Sequence, residues 1–254
     1  MGTIRTEVMD GVAVVTMSAP EVRNAFSFEM CTDLRAAFDQ VDNDPSIGAM
    51  VLRGDAGTFC AGSDTREKEW SSGGDAATAD SFNRTSSIYS TFLRLSRSAV
   101  PTIAAVRGSA VGAGVNLAMA CDLRVMARDA VLVGGFLRAG VLPGGGFYSL
   151  VGRAGGKQAA LALGLAAVRI DGEKAERCGL AWEALDDPDV EDRAVDLAKA
   201  CASDPELARR GIAILRSELD VPGVSLEAAI EMERGAQMWS RRRRIDALGG
   251  EDQS

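Results

Sequence analysis

Apolar positions along the chain change their period several times, and each change marks an element. Residues 4–17 read as a hairpin: a short strand, a turn at Asp10-Gly11, then Val12-Ala13-Val14-Val15-Thr16-Met17. Ser27 can cap a helix whose apolar positions Met30, Leu34, Phe38 and Val41 recur at helical spacing, and Pro45 ends it. Ala49-Met50-Val51-Leu52 is a short buried strand followed by a turn at Gly54-Asp55. Residues 64–78 are polar and glycine-bearing, after which Phe82, Ile88, Phe92 and Leu95 mark another helix. Thr102-Ile103-Ala104-Ala105-Val106 is a strand feeding the turn Arg107-Gly108, and the small apolar stretch 110–120 reads as a helix packed tightly on a sheet. Leu123-Arg124-Val125-Met126 and Ala130-Val131-Leu132-Val133 are further short strands. From Lys157 onward the chain reads as mainly helical, with breaks at Asp171-Gly172, Asp187-Pro188, Asp204-Pro205 and Val221-Pro222-Gly223. Strands alternating with helices, then a helical tail, predict an α/β core over residues 1–190 and a helical C-terminal region over 191–254.

Composition narrows the chemistry. The 254 residues are 46% apolar, enough for a sizeable core, yet no apolar run approaches the ~18 residues of a membrane span. The N-terminus lacks a basic-then-apolar secretory pattern, so export is not expected, and myristoylation at the Met1-Gly2 start is not expected either. A cytoplasmic location follows as the expectation. Five scattered cysteines, odd in number and without zinc spacing, read as reduced thiols, mostly core filler. The net charge of −8 argues against a nucleic-acid binder. The run Arg241-Arg242-Arg243-Arg244 is the local exception, either a solvated helix end or a contact for phosphate groups. The chain has no histidine, which excludes a histidine base, a Ser-His-Asp triad and the usual zinc sites. No metal and no cofactor are expected, and proton transfer would fall to carboxylates, Tyr, Lys, Cys or ordered water.

Two glycine-bearing turns carry the strongest chemical signal. Phe59-Cys60-Ala61-Gly62-Ser63-Asp64 follows the Met50 strand, and Gly108-Ser109-Ala110-Val111-Gly112-Ala113-Gly114-Val115-Asn116 follows the Ile103 strand. A turn leaving a strand, above all one that opens a helix, frees backbone N–H groups; two of them converging on one point can hold a thioester oxygen as it gains negative charge. Glycine and alanine let a ligand approach the backbone closely. Neither turn ends in Gly-Lys-Ser/Thr, so neither is a P-loop.

The order Arg23-Asn24-Ala25, then 59–64, then 108–116 continuing into Leu117-Ala118-Met119-Ala120-Cys121-Asp122, resembles the enoyl-CoA hydratase/isomerase (crotonase) superfamily. So do Gly140-Val141-Leu142-Pro143-Gly144-Gly145-Gly146 and the run from Gly156-Lys157 to Ala175-Glu176-Arg177-Cys178-Gly179-Leu180. The resemblance spans roughly residues 3–240 and implies a crotonase-like (ClpP/crotonase) spiral of ββα units. It also implies a homotrimer or dimer of trimers, assembled through the C-terminal region, that binds acyl-CoA. Carried over residue by residue, the oxyanion-hole donors would be the backbone N–H groups of Ser63 and Ala113, framed by Gly112 and Gly114. Asn24, Ala25, Ala61, Gly62 and Asp64 would line the CoA and pantetheine path, and Asp122 would be structural.

Departures from the family pattern then bear on the reaction. Family hydratases carry a Glu two residues beyond the last Gly of the second turn, where this chain has Asn116. They carry another in a Pro-Glu pair four residues before Gly-x-x-Pro-Gly, where this chain has Gly135-Phe136. Adding water to an activated double bond needs one group to deprotonate water and one to protonate carbon. Asn can orient a water but cannot take its proton near neutral pH, and Phe can do neither. The isomerase branch commonly keeps the second Glu, so Phe136 speaks against that activity too. Asp64, Glu67 and Glu69 could substitute or form a solvated acidic loop. Arg138 could pair with an acyl carboxylate or face solvent, Tyr148 could donate a hydrogen bond or pack, and Trp70 reads as core or lid filler. The resemblance thus implies acyl-CoA binding with atypical or absent hydratase chemistry; a non-catalytic acyl-CoA carrier and an ordinary 2-enoyl-CoA hydratase of fatty-acid oxidation, a lyase, are the alternatives.

Overall fold

The computed structural model describes residues 2–64, 79–219 and 225–251. Thr3–Met9 (β1) and Val12–Ser18 (β2) pair antiparallel, with Met9 opposite Val12. Asp10 and Gly11 between them have φ of 52° and 74°, both positive, as the two-residue turn matching strand twist requires. Phe28–Asn43 (α1) starts where the Ser27 side chain accepts from Met30 N at 3.0 Å, satisfying one free N–H of the first turn. Met30, Leu34, Phe38 and Val41 form its buried face, as the helical spacing predicts. The chain returns as Ala49–Gly54 (β3), parallel to β2, because a helix crossover must precede a parallel neighbour.

The same unit repeats. Ala79–Ser96 (α2) leads to Thr102–Val106 (β4), parallel to β3. Ser109–Val111 (β5) and Ala113–Ala120 (α3) lead to Leu123–Ala127 (β6), parallel to β4. Val131–Val133 (β7), Phe147–Gly164 (α4), Arg169–Asp171 (β8), Gly172–Arg177 (α5) and Glu183–Leu185 (β9) complete the core. The main sheet has the order β1-β2-β3-β4-β6-β9, and a second sheet has the order β5-β7-β8. This β-β-α repetition winding along two sheets is the expected α/β spiral. Every residue of β4 is buried, as befits a central parallel strand covered on both faces.

Three details differ from the sequence expectation. Residues 109–111 form a strand, because β7 supplies a parallel partner; the helix begins only at Ala113. β8 and β9 interrupt what the sequence presents as a mainly helical region, held by pairing to β7 and β6 that no local pattern reveals. α4 carries a break at Gly156 (φ 75°), so its two halves fold back and bring Gly164 beside Phe147 and Tyr148.

The helical tail is Val190–Ala202 (α6), Pro205–Leu219 (α7) and Leu226–Glu251 (α8). α6 lies over β2, β3, β4 and β6 with Val190, Ala194, Ala198 and Ala202 buried, so it covers the main sheet. Among the described residues no helix is long and apolar enough to cross a membrane.

Candidate functional site

The two glycine-bearing turns lie side by side, joined by main-chain hydrogen bonds. Phe59 N donates to Arg107 O (2.9 Å), Cys60 N to Ser109 O (3.0 Å) and Val111 N to Cys60 O (3.0 Å). On the far side of β5, Gly112 N donates to Val133 O at 2.8 Å. On the near side, Phe26 N donates to Gly62 O (2.7 Å) and Asp64 N to Phe26 O (2.8 Å), a parallel bridge that leaves the intervening Ser63 N–H outside the pairing. Gly112 closes the β5 strand and caps α3, so the Ala113 N–H is a first-turn donor with no intrahelical acceptor. Among the described residues neither N–H has a protein acceptor.

Small residues make this approach possible. Gly62 sits at φ 95°, and a Cβ there would lie 2.7 Å from Val111 O and 3.9 Å from Ala113 N. A side chain on Gly114 would overlap the Cys60 carbonyl. The turns therefore touch through backbone, and Gly62, the residue before Ser63, lies beside the Ala113 amide. Cys60 beside them is a buried thiol whose pKa burial pushes up to about 12, which disqualifies it as a nucleophile.

Asn116 stands one turn beyond Ala113 on α3 and is buried. Its Nδ2 donates to Gly144 O and Gly145 O, both at 3.0 Å. Two carbonyl partners fix the amide orientation, since the reversed amide would set oxygen against oxygen. Its Oδ1 is buried and has no hydrogen-bond partner among the described residues. Phe136, half-buried, opens the single turn Leu137–Ala139 and packs edge-on against Phe147 with ring centroids 4.9 Å apart. Its ring edge would lie 3.9 Å from a Cβ on Gly112, so it walls the start of α3. Between Asn116 and Phe136 the positions named for acid/base work hold an amide pinned to main chain and a hydrocarbon ring.

The remaining sequence candidates separate into those at the turns and those away from them. Ala61, Gly62, Ser63, Gly112, Ala113 and Gly114 come together. Asp64 is buried at the end of the first turn. Asn24 is fully buried and donates to Asp55 O (2.9 Å) and Thr58 O (2.6 Å) while accepting from Ala19 N (2.8 Å). That spends the Asn24 side chain on holding the loop before the first turn; Ala25 beside it is buried too. Arg138 is exposed, and the half-buried Tyr148 ring lies against Gly164. Asp122 accepts from Thr102 N and Oγ1 (both 2.8 Å) and pairs with Arg216 at 2.7 Å. The arginine run is dispersed around α8: Arg241 reaches Thr85, Arg242 pairs with Asp246, Arg243 stacks on Trp239, and the Arg244 stem lies on Gly140. Glu67, Glu69 and Trp70 lie outside the described residues. Among the described residues no cluster suited to a metal ion occurs.

Sequence reading missed one carboxylate near the site. Glu233 on α8 accepts from Phe147 N (2.9 Å) and Tyr148 N (3.0 Å), and burial pushes its pKa above the usual range for a glutamate. Its only sequence signal is its place in the apolar-and-polar spacing of α8.

Comparison with known proteins follows this geometry. The profile of the enoyl-CoA hydratase/isomerase family matches residues 7–236. A Mycobacterium tuberculosis protein named probable enoyl-CoA hydratase is 36% identical over 223 residues, covering 88% of this chain and 82% of that protein. The 1,2-epoxyphenylacetyl-CoA isomerase of Escherichia coli is 30% identical over 239 residues, 93% of this chain and 89% of its own. The crystal structure of an enoyl-CoA hydratase from Polaromonas sp. JS666 superposes with a TM-score of 0.79 at 26% identity, covering 91% of this chain and 90% of that one.

Proposed function

The chain belongs to the enoyl-CoA hydratase/isomerase family, and from that premise we propose that it binds an acyl-CoA thioester without hydrating 2-enoyl thioesters efficiently. In this reading the thioester oxygen sits on the Ser63 and Ala113 N–H groups. Preorganised backbone donors of this kind stabilise an oxyanion strongly, because they need no rearrangement as charge develops. Ala61, Gly62, Asp64, Gly112 and Gly114 frame the approach, and the thioester brings its own CoA, so no separate cofactor is invoked. Asn24 and Ala25 then act by supporting the first turn, and Arg138 and Tyr148 stand at the edge of the acyl side. Assembly as a trimer or dimer of trimers, with 191–254 contributing to the contact, and a cytoplasmic location belong to the same proposal.

The observation that carries it is the double donation from Asn116 Nδ2 to Gly144 O and Gly145 O. An amide held this way offers only Oδ1, an acceptor that cannot become a base near neutral pH. Phe136 offers no proton at all. Loss of a positioned acid/base group costs about 10²–10⁴-fold each, so two losses place hydration far below a typical enzyme rate. The names of the relatives favour the second reading, an ordinary hydratase; a non-catalytic carrier, or enolate chemistry with other groups, fits the first.

One measurement pair separates them. Calorimetry should detect binding of acyl-CoA, while crotonyl-CoA absorbance should decay no faster than with a denatured control. Turnover near a typical enzyme value of about 10 s⁻¹ would overturn the reading of Asn116 and Phe136. Absence of binding to any acyl-CoA across short, long, unsaturated and dicarboxylic members would overturn the thioester site itself.

A further inference from the structure

One stripe of α8, formed by Leu226, Ile230, Glu233, Gln237, Ser240 and Arg244, recurs at alternating spacings of four and three residues. Each member meets the loop 140–148. Leu226 and Ile230 crowd Gly146, and the Arg244 stem lies 3.4 Å from where a Cβ on Gly140 would be. Gln237 Nε2 donates to Leu142 O at 3.1 Å while its Oε1 accepts from the Tyr89 hydroxyl, and Ser240 Oγ accepts from Leu142 N at 2.9 Å. Glu233 is the member that touches the start of α4. That helix begins after Gly146, which has no side chain to cap it. Both carboxylate oxygens of Glu233 take up the first N–H groups, from Phe147 and Tyr148, so a distant carboxylate supplies the missing cap.

The cap fixes Phe147, whose ring stands edge-on to Phe136 at 4.9 Å and to Tyr148 at 5.9 Å. Phe136 in turn borders Gly112, the residue before the Ala113 donor. An acyl chain whose carbonyl oxygen rests on the Ala113 N–H therefore starts beside this ring. We propose that Glu233 is a positioning residue that sets acyl-length specificity, by fixing Phe147 and through it the Phe136 wall. This rests on the thioester-site reading above.

The test measures dissociation constants of acetyl-CoA and octanoyl-CoA for the full chain, E233Q and E233A by calorimetry, with thermal melts alongside. A chain that reaches the wall feels its displacement and a two-carbon acyl group does not. In E233A the octanoyl-to-acetyl affinity ratio should move by about tenfold, the scale of a small change in a hydrophobic pocket, with acetyl-CoA held within about twofold. E233Q keeps one acceptor oxygen and should move the ratio by about threefold. A merely structural Glu233 would lower the melting temperature and scale both affinities together, and an unchanged ratio in both variants overturns the proposal. Should E233A fail to fold, E233Q alone decides, and an unchanged ratio there overturns it. Wild-type protein that binds neither thioester overturns the underlying site reading, a failure distinct from an unchanged ratio.

Discussion

The frame of the two turns and the wall beside it are built from different materials. Cys60, Ser109, Val111 and Gly112 are joined by main-chain hydrogen bonds, and side chains enter only by being small. Beside it, Asn116, Phe136, Phe147 and Glu233 make their contacts through side chains: an amide on two carbonyls, two rings edge to edge, and a carboxylate on two N–H groups. Backbone geometry survives most substitutions that spare its glycines, whereas a side-chain arrangement changes with a single residue. In the proposed reading, binding of a thioester would depend on the first material and proton transfer on the second. One half can therefore persist while the other is replaced.

The sharpest way to break the frame is Gly62→Ala. The alanine would have to adopt φ near 95°, outside the ordinary range for a residue with a side chain, and its methyl would press on Val111 O at 2.7 Å. Strain and overpacking together should cost about 3 kcal/mol and move the Ser63 amide, lowering acyl-CoA affinity by about a hundredfold. Melting curves and calorimetry read both. An unaltered affinity would mean that the turns do not form the ligand contact.

On the wall side the corresponding change is Asn116→Asp, which keeps shape and removes the donor. Gly144 O and Gly145 O then lose their partner and face a carboxylate, a cost of about 2 kcal/mol in a melt. Thioester affinity should fall by less than with Gly62→Ala, and crotonyl-CoA should remain unhydrated because Phe136 still supplies no proton. Hydration at an ordinary enzyme rate in this variant would show that one carboxylate suffices, and the contrast between frame and wall would lose its chemical meaning.

These expectations also mark what local sequence carries. The hairpin, α1 with its Ser27 cap, β3, β4 and β6 all follow from period and turn chemistry, which act within a few residues. β8 and β9 have no such signal, because their strand state comes from partners far along the chain. The spiral and the association of the two turns follow from motif order. Asn24 shows the limit of that reading: its motif places it near a ligand path, while three hydrogen bonds to main chain assign its side chain to loop support. Glu233 shows the converse, since nothing in Met232-Glu233-Arg234 announces a cap for a helix that starts 86 positions earlier at Phe147.

The smallest expected effect concerns the pH dependence of that cap. Burial raises the folded-state pKa of Glu233 above its ordinary 4.5, against the opposing pull of the N–H groups of Tyr148, Phe147 and Gly146. The titratable groups that sense its charge, Tyr148 and Tyr89, are themselves raised by burial and so stay neutral in the acid range. Between 4.5 and the raised value the folded chain holds a proton that the unfolded chain releases. Stability therefore falls with rising pH in that window: the contribution is full below 4.5 and is lost as pH passes the folded value. The slope from one group cannot exceed about 1.4 kcal/mol per pH unit. E233Q has no proton to release, so the unfolding free energy of wild type minus that of E233Q should fall as pH rises from 4.5 toward neutrality. Denaturant titrations at several pH values measure it. A difference that stays constant would place the Glu233 carboxylate in water, and the side-chain wall would then stand without its cap.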